Sequence, residues 1–404
     1  MVMINIKDIE HARQRISKDV LFTPCAYSES LSLLTGCELY LKLENLQKTG
    51  SFKDRGALNK LLCLSEKERA AGIIAASAGN HAQGVAHAAT LCDLKCVIVM
   101  PETTPLSKVR GTRELGAEIV LHGGGYDDAF ERASELQREK GYTLVHAFDD
   151  PEVIAGQGTI GLELLEQMPV MDMVIVPVGG GGLISGIATA IKTRHSDVRV
   201  IGVESERLPA MKQSIDAGGI KPVSVASTIA DGIAVRKVGD LTLPIAQKYV
   251  SEIVTVSEEE TAGAIMLLLE REKTLAEGAG AVGLAALYND RIKNVKGKKV
   301  VIVVSGGNID MNILWRIIRR GLKHDGRLSE LKVVVADRPG SIAEIAGIIA
   351  AEGANIFNLS QRHWEGEADL GEREIVLQLE TRGHDHAAEI CKRLREQNLK
   401  VKLL

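Results

Sequence analysis

One lysine lies where a nucleophilic amine is expected. Lys53 follows the alternating apolar run at 39–43 and stands at the predicted start of a helix, in the stretch SFKDRGA. The positive end of a helix and shielding from water both disfavour an ammonium group, so part of the amine stays neutral. Such an amine can form a Schiff base with an aldehyde. The alternative is an ordinary solvated surface lysine.

A second motif, SAGNHAQG at 77–84, lies between the predicted strand GIIAAS and a predicted helix. The first amide groups of a helix have no backbone partner, and they bind carboxylate or phosphate. The motif therefore predicts an anion site. The alternative is that Ser77 or Asn80 only caps the helix, and that His81 has a structural role.

Four consecutive glycines, Gly179, Gly180, Gly181 and Gly182, precede Leu183 and separate a strand from a helix. Glycine lets every backbone N–H approach one oxyanion without a side chain in between. The run is not the GxGxxG fingerprint of dinucleotide folds, and no GK[ST] follows to form a P-loop. Because a tight turn rarely needs four glycines, the run predicts a phosphate cradle.

The fourth motif, SGGN at 305–308, follows the strand KKVVIVV. Taken alone, Ser305 is either a turn residue or a hydrogen-bonding group at a site. The four motifs SFKDRGA, SAGNHAQG, GGGGL and SGGN, in this order and at these separations, resemble those of the threonine dehydratases in the tryptophan-synthase-β-like family of pyridoxal phosphate enzymes. The resemblance spans residues 5–320 and implies fold type II, with two open twisted α/β subdomains.

The resemblance also implies a role for each candidate residue. Lys53 would hold the aldehyde of pyridoxal 5'-phosphate, Phe52 would pack on its ring, and Asn80 would meet the ring hydroxyl. Ser305 would bind the pyridine nitrogen. The other candidates would bind the cofactor phosphate, at Gly179, Gly180, Gly181, Gly182 and Leu183, or the substrate carboxylate, at Ser77, Ala78, Gly79, Asn80 and His81.

The implied reaction removes water and then ammonia from L-threonine, and more weakly from L-serine, to give 2-oxobutyrate or pyruvate. Lys53, once freed by the substrate, would be the general base. Because Ser305 is a neutral partner, the pyridine nitrogen would stay unprotonated, which favours β-elimination over transamination. Serine dehydration, racemisation and a cysteine-synthase-like replacement remain alternatives. A non-catalytic amino-acid sensor is another, although retention of Lys53 argues against it.

Ala78 distinguishes this chain from the related serine racemases. Those enzymes resemble it but carry a second serine at this position, whose hydroxyl serves the opposite face of the substrate, and an alanine cannot donate a proton. They also bind a divalent metal through acids that follow a sequence resembling Gly202-Val203-Glu204. Here Leu208 and Ala210 stand where a further acid is expected. We therefore assign no metal site.

Apolar runs and stretches of helical period alternate from about residue 38 to residue 320. The runs KCVIVMP, EIVLHG and MVIVPVG, for example, are followed by SKVRGTRELG, YDDAFERASELQREKG and LISGIATAIKT. This alternation is typical of doubly wound parallel sheets, which bind ligands at the carboxyl ends of their strands. It predicts an α/β catalytic domain at 1–320. The polar stretch that follows, with its two glycines, predicts a linker at 321–329.

The remaining residues, 330–404, predict the βαββαβ order of a ferredoxin-like sandwich. The predicted strands are LKVVVAD, ANIFNLSQRH, REIVLQLE and VKLL. This tail resembles an ACT domain, which implies an amino-acid effector near Asp337, Ser341 and Asn355, although these residues also suit ordinary turns. A sheet with helices on one face needs a partner, so we expect a homodimer or homotetramer.

Composition excludes several classes of protein. The chain has 404 residues, 45% apolar and 25% charged, which suits two or three folding units. A net charge of -4 without a basic block argues against a nucleic-acid partner. No apolar run approaches a membrane span and no signal peptide is evident, so we expect a cytoplasmic protein. Among six cysteines without a CxxC pair, Cys92 and Cys96 are expected to be buried structural thiols.

Overall fold

A computed structural model describes residues 4–362 and 369–404. The described chain divides into two compact units, one ending at Asp310 and the other beginning at Met311. The strands are β1 Cys25–Tyr27, β2 Glu38–Leu43, β3 Ile73–Ala76, β4 Cys96–Met100, β5 Glu118–Leu121, β6 Thr143–Leu144, β7 Met173–Pro177, β8 Arg199–Ser205, β9 Glu252–Val256, β10 Lys299–Val304, β11 Leu328–Ala336, β12 Asn355–Arg362, β13 Glu372–Glu380 and β14 Lys400–Leu403.

The α-helices are α1 Ile6–Ile16, α2 Glu29–Thr35, α3 Lys53–Leu62, α4 Glu66–Ala71, α5 Asn80–Leu91, α6 Leu106–Glu114, α7 Tyr126–Lys140, α8 Pro151–Gln167, α9 Gly182–Arg194, α10 Ala210–Asp216, α11 Thr242–Tyr249, α12 Glu258–Glu272, α13 Gly278–Tyr288, α14 Met311–His324, α15 Ser341–Ala351 and α16 His384–Glu396. Short 3-10 turns lie at Glu44–Leu46 and Asp231–Ile233. Within the described residues, no helix combines the length and the apolar character that crossing a membrane requires.

The larger sheet of the first unit has the strand order β1-β2-β10-β7-β8-β9. Its neighbours are parallel except for β1, which runs antiparallel to β2. In the central strands, Val174 and Val301 pack into a core on one face, whereas Ile175 and Ile302 lie against Gly283 of α13 on the other. Because both faces are covered, these strands are continuous apolar runs.

The smaller sheet of the same unit has the order β5-β4-β3-β6, and all its neighbours are parallel. Alternate residues of β3 enter two cores, with Ile73 and Ala75 on one face and Ile74 and Ala76 on the other. The predicted alternation of parallel strands and helices is confirmed in both sheets. They correspond to the two α/β subdomains that the sequence implies. The short edge strand β1 was not predicted.

Buried ion pairs connect β2, α3 and α8 of the first unit. Arg55, which is 1% exposed, donates from Nε to Glu44 at 2.8 Å and from Nη1 to Glu163 at 2.6 Å. Lys42 pairs with the same Glu163. Although burial opposes it, the neighbouring Arg55 guanidinium holds the pKa of Glu44 below its usual value. These ion pairs fix α3, whose first residue is Lys53.

The stretch at 321–329 differs from the predicted linker. Helix α14 continues to His324 and strand β11 begins at Leu328, so only residues 325–327 lie between the two elements. Gly321 stays helical, and only Gly326 has a positive φ, of +66°, which glycine adopts readily. Helix α14 therefore includes residues 321–324, which the sequence assigned to the linker. A helix tolerates polar residues on its exposed face.

The second unit begins with helix α14, and the elements after it have the predicted βαββαβ order. Its antiparallel sheet has the strand order β12-β13-β11-β14. The buried side of β11, with Val333 and Val335, packs with Ile345 of α15 and Ile390 of α16 in one core. The predicted strand ANIFNLSQRH ends at His363, which lies outside the described residues.

Candidate active site

Lys53 begins α3, shortly after β2 ends. Its Nζ donates a hydrogen bond to the backbone oxygen of Ala147 at 2.8 Å and lies 5.1 Å from the ring centre of Phe52. Burial lowers the pKa of Lys53 to about 8, and the carboxylate of Glu277 offsets part of that lowering. About half of the amine is therefore neutral near pH 8.

Helix α5 packs closely on the start of α3. A Cβ on Gly84 of α5 would lie 3.1 Å from the carbonyl carbon of Lys53, so glycine is needed for this approach. The close packing brings the beginning of α5, and with it Asn80, near the lysine.

The stretch Ser77–His81 contains the loop that joins β3 to α5 and the first two residues of α5. Gly79 is the N-cap, and no side chain in the described part of the protein caps the helix; Ser77 Oγ accepts instead from the N–H of Gly79 at 3.2 Å. Neither Ser77 nor Asn80 therefore caps the helix with its side chain. First-turn amides without a capping side chain suit an anion such as a carboxylate. Ala78 contributes only a methyl group to this loop.

The ring of His81 is turned towards the protein interior. His81 is 4% exposed, and its Nε2 lies 2.9 Å from the backbone oxygen of Val145, which can only accept. Burial lowers the pKa of His81 to about 3, and the nearby Lys53 adds to the effect. The imidazole is thus neutral, with its proton on Nε2. Its part in an anion site would come from its backbone N–H.

The glycine loop Gly179–Gly182 joins β7 to α9 and packs tightly against Phe148. A Cβ on Gly180 would lie 2.3 Å from the ring of Phe148, and one on Gly182 would lie 2.8 Å from the Phe148 oxygen. Both distances are well below ordinary contact. The glycines thus have a packing reason that the sequence did not reveal, in addition to the predicted anion cradle.

The end of the glycine loop leaves the start of α9 without a capping side chain from the part of the chain that the structure describes. Gly181 has a φ of +95° and is the N-cap of α9, and no capping side chain is present among the described residues. The Leu183 side chain is buried in the core. Only backbone groups of this loop therefore face a ligand at the start of α9.

Ser305 follows β10, beside the segment that carries the lysine. It is 2% exposed, and its backbone oxygen accepts from the N–H of Phe52 at 3.1 Å. The next residue, Gly306, bridges to Ser51. Neighbouring parallel strands β2 and β10 therefore bring Lys53 and Ser305 together although the two residues are far apart in the sequence.

Asn80 belongs to a hydrogen-bond chain that sequence reasoning missed. Its Nδ2 donates to Glu277 Oε1 at 2.7 Å, and its Oδ1 accepts from Asn308 Nδ2 at 2.8 Å. Burial raises the pKa of Glu277 to about 7, with Asp231 adding to the effect. A single acid in the glycine- and alanine-rich stretch AEGAGAVG was the only available signal of Glu277.

These residues fit the cofactor that the sequence resemblance implies. A cradle without side chains suits a phosphate, the lowered pKa of Lys53 suits attachment to an aldehyde, and the neutral Ser305 and Asn80 offer hydrogen bonds to a heteroaromatic ring. The starts of α5 and α9, which have no capping side chain in the described part of the chain, are two separate places where backbone N–H groups could meet an anion. All of these groups lie within the first unit.

Glu204 matches the sequence that precedes the metal-binding acids of related racemases, but here its carboxylate binds backbone N–H groups. Its two carboxylate oxygens accept from the backbone N–H groups of Met211, at 2.7 Å, and Lys212, at 2.9 Å. Burial raises the pKa of Glu204 to about 7. Cys92 is the C-cap of α5 and Cys96 begins β4, as the sequence predicted from a helix end running into a strand. Cys96 is buried as expected, whereas Cys92 is only partly buried.

The predicted effector residues belong to the second unit. Asp337 pairs with Arg373, and Asn355 Nδ2 donates to Glu380 Oε2 at 3.0 Å. Ser341 begins α15 and donates from Oγ to a backbone oxygen of β11 at 2.8 Å. Each of the three side chains thus has a partner within its own domain.

Comparison with known proteins identifies the family. The family model "Pyridoxal-phosphate dependent enzyme" matches residues 16–306, and the "ACT domain" model matches residues 329–397. The L-threonine ammonia-lyase of Thermotoga maritima is 50% identical over 402 residues, covering 100% of both chains. The structure of maize serine racemase has a TM-score of 0.75 at 36% identity, covering 80% of this chain and 99% of that chain. Processed threonine deaminase isoform 2 from Solanum lycopersicum has a TM-score of 0.75 at 37% identity, covering 78% and 86%.

The family match includes Lys53, the glycine loop and Ser305, and the matched relatives share the fold type II architecture that the sequence implied. The described geometry and the two family models agree on the division between an α/β enzyme region and a βαββαβ tail. The chain belongs to the family of pyridoxal-phosphate-dependent enzymes and carries an ACT domain.

Proposed function

We propose that the protein is a threonine ammonia-lyase, which converts L-threonine to 2-oxobutyrate and ammonia and acts more weakly on L-serine to give pyruvate. The single observation that carries the proposal is the meeting of a partly neutral Lys53 with Asn80 and Ser305 at the ends of β3 and β10. The name of the Thermotoga maritima relative supports the choice of substrate.

The residues would divide the work of binding between them. Backbone N–H groups of Gly179–Gly182 would hold the phosphate of pyridoxal phosphate, and Lys53, Asn80 and Ser305 would hold its aldehyde and ring. The uncapped start of α5 would hold the substrate carboxylate. The cofactor, when bound, supplies an electron sink for negative charge that develops at the substrate Cα.

Lys53 would move the proton in this reaction. An amine with a pKa of about 8 is neutral often enough at physiological pH to accept a proton from Cα. The oxygen of Ala147 accepts a hydrogen bond from Nζ and so restricts where the amine points. Ser305 offers a neutral hydroxyl, which stabilises a positive ring nitrogen less than a carboxylate would. That environment favours loss of the β-hydroxyl over transamination.

Ala78 supports elimination over racemisation. Inversion at Cα needs a proton donor on the face opposite the lysine, and the methyl group of Ala78 offers none. The neutral His81, whose Nε2–H is already used by Val145, does not replace that donor.

Product analysis with L-threonine, L-serine and O-acetyl-L-serine tests the proposal. We expect 2-oxobutyrate and ammonia in equal amounts, a higher kcat/KM for threonine than for serine, and no D-amino acid on chiral chromatography. Faster formation of D-serine, or faster replacement of acetate by sulfide, would instead identify a racemase or a synthase of the same family.

We also propose that the ACT domain binds an amino acid that regulates a homo-oligomeric enzyme. An effector changes catalysis only if it binds two states unequally, and a coupling of about 1–3 kcal/mol changes threonine affinity roughly 5- to 150-fold. The chemical candidates are branched-chain amino acids, with isoleucine as inhibitor and valine as its antagonist.

A chain ending at Asp310 tests the regulatory proposal, because every candidate catalytic residue precedes that point. The structure favours this position over the sequence-predicted boundary near 320, since α14 belongs to the second unit. We expect the shortened enzyme to stay active but to lose its response to isoleucine. A shortened enzyme that is inhibited at the same concentration would place the effector site in the first unit. Analytical ultracentrifugation of both chains would determine their oligomeric states.

A further inference from the structure

The side-chain amide of Asn80 is held from both ends. Asn308 Nδ2 donates to the Asn80 oxygen at 2.8 Å and also to the backbone oxygen of Thr49 at 2.7 Å. Because a backbone oxygen can only accept, the orientation of the Asn308 amide is fixed, and this in turn fixes Asn80. The NH2 group of Asn80 must then point towards Glu277, where it donates at 2.7 Å.

Glu277 is enclosed by backbone that leaves no room for side chains. It is 3% exposed and immediately precedes α13, and its own N–H donates to the oxygen of Gly306 at 3.0 Å. A Cβ on Gly306 would lie 2.6 Å from Glu277 Oε1, and a Cβ on Gly232 would lie 3.0 Å from the same atom. Two glycines from separate segments thus make space for one carboxylate next to Ser305.

Charged groups from several elements act on Glu277. Burial and Asp231 raise its pKa to about 7, while the hydrogen bond from Asn80 and the charges of Lys108 and Lys53 oppose that rise. Lys108 of α6 pairs with Asp231 at 2.8 Å. The backbone brings Glu277 close to the lysine segment, because Gly306, which packs on Glu277, also bridges to Ser51, two residues before Lys53. In agreement with this placement, the Glu277 carboxylate raises the pKa of Lys53 against the effect of burial.

Packing alone does not explain an acid at this position, although the N-terminal end of α13 also favours a negative charge there. A buried carboxylate is destabilising unless it is well compensated. The one side-chain hydrogen bond that Asn80 donates to it requires only an oxygen acceptor, which a glutamine would supply without a charge. The negative charge therefore needs a reason other than packing.

We propose that Glu277 is a positioning residue of the active site, which orients the amide of Asn80 by a hydrogen bond and keeps the amine of Lys53 basic by its negative charge. The inference rests on the proposed use of Lys53 and Asn80 in the enzyme. The charge matters when Lys53 has accepted a proton, because a nearby carboxylate stabilises the ammonium form.

The cofactor-free protein provides a test that needs neither substrate nor turnover. Glu277→Gln keeps an oxygen acceptor but removes the charge, so the pKa of Lys53 should fall. We expect an amine-reactive reagent, followed by peptide mass spectrometry, to label Lys53 about twofold faster or more at pH 7.5 in this variant than in the parent. Unchanged labelling across pH 6–10 would overturn the electrostatic part of the proposal.

Glu258→Gln is a matched control. Glu258 lies in the same unit and accepts hydrogen bonds from Thr228 Oγ1 at 2.6 Å and from the Ile229 N–H at 2.8 Å, but its charge is not among the causes that shift the pKa of Lys53. This variant should label Lys53 at the parent rate. The free energy of unfolding of Glu277→Gln should equal or exceed that of the parent, because the buried charge is gone. A large destabilisation would mean that the charge serves the fold.

The loaded enzyme separates the two parts of the proposal. Glu277→Gln should retain the visible absorbance band of the bound cofactor but shift the pH profile of kcat to lower pH, whereas Glu277→Ala, which also lacks the acceptor for Asn80, should shift the band as well. Equal spectra and equal pH profiles for parent, Gln and Ala enzymes would overturn the proposal. The labelling experiment uses no substrate, so it tests the effect of Glu277 on Lys53 even if threonine proves not to be the substrate.

Discussion

The Lys53 amine donates its hydrogen bond to a backbone oxygen, that of Ala147, at 2.8 Å. Ala147 lies in the segment 145–149, which contacts several parts of the site. The oxygen of Val145 accepts from His81, and the ring of Phe148 packs on the glycine loop. Because the acceptor for Lys53 is a main-chain atom, no single substitution removes it, and the orientation of the amine depends on the path of this segment.

Replacing Lys53 by Ala should abolish turnover but not folding. The variant loses both the amine for the cofactor aldehyde and the general base, so 2-oxobutyrate formation should fall by at least about a hundredfold. Lys48→Ala removes an exposed lysine from the same segment and should retain parental activity. Comparable turnover by the two variants would contradict the role given to Lys53. Circular dichroism should show that both are folded.

His81 predicts a specific pH dependence of stability. Its folded pKa is about 3, far below the 6.5 of an unfolded histidine, so its neutral form is fully compatible with folding above pH 6.5. As the pH falls from 6.5 towards 3, the unfolded chain binds a proton that the folded chain rejects, and stability declines by about 1.4 kcal/mol per pH unit. His81→Gln should lack this slope in urea unfolding. The exposed His11→Gln should follow the parent.

Gly180→Ala should disturb the glycine loop. The added Cβ would lie 2.3 Å from the Phe148 ring, and overpacking of this kind costs about 1–3 kcal/mol of unfolding free energy. Gly263→Ala provides the comparison, because no atom lies within 4 Å of its Cβ on the exposed side of α12. In a helix that change should be neutral or stabilising by about 0.5–1 kcal/mol. Equal stabilities in cofactor-free protein would refute the packing argument.

Arg55→Met should strongly destabilise the first unit. It leaves the buried carboxylates of Glu44 and Glu163 without their guanidinium partner, and breaking a buried ion pair in this way costs about 3–5 kcal/mol. Arg110 pairs with Glu114 on the surface of α6, so Arg110→Met should cost at most about 1 kcal/mol. Guanidinium chloride unfolding of the two variants should show this difference; similar midpoints would mean that the buried network contributes little.

The sequence was sufficient for most elements because their physical signals are local. Apolar runs predicted β3, β4 and β7, and the glycine loop between β7 and α9 stood out by composition. The three-residue strand β1 is too short to show a pattern. The end of α14 looked like a loop because Lys323 and His324 are polar, although both lie in a helix.

The candidate site was predictable only where a motif carried it. Lys53, Asn80 and Ser305 stand in recognisable stretches, but Glu277 is one acid in an otherwise small-residue run, and the role proposed for it depends on its burial next to Gly306. The packing of Phe148 on Gly180 likewise depends on chain segments that meet only in the folded unit. Tertiary contact between distant segments has no local signature in one sequence.

The position of β10 in the larger sheet has a consequence for how the protein is made. Strand β10 lies between β2 and β7, so β1 and β2 cannot join the sheet until residue 304 has left the ribosome. About 260 residues separate the end of β2 from the end of β10, which corresponds to roughly 13–52 s of translation. Strand β7 is complete about 127 residues before the end of β10, so for roughly the last 6–25 s of that interval the nascent chain exposes the unpaired edge of β7 to chaperones that bind emerging polypeptides.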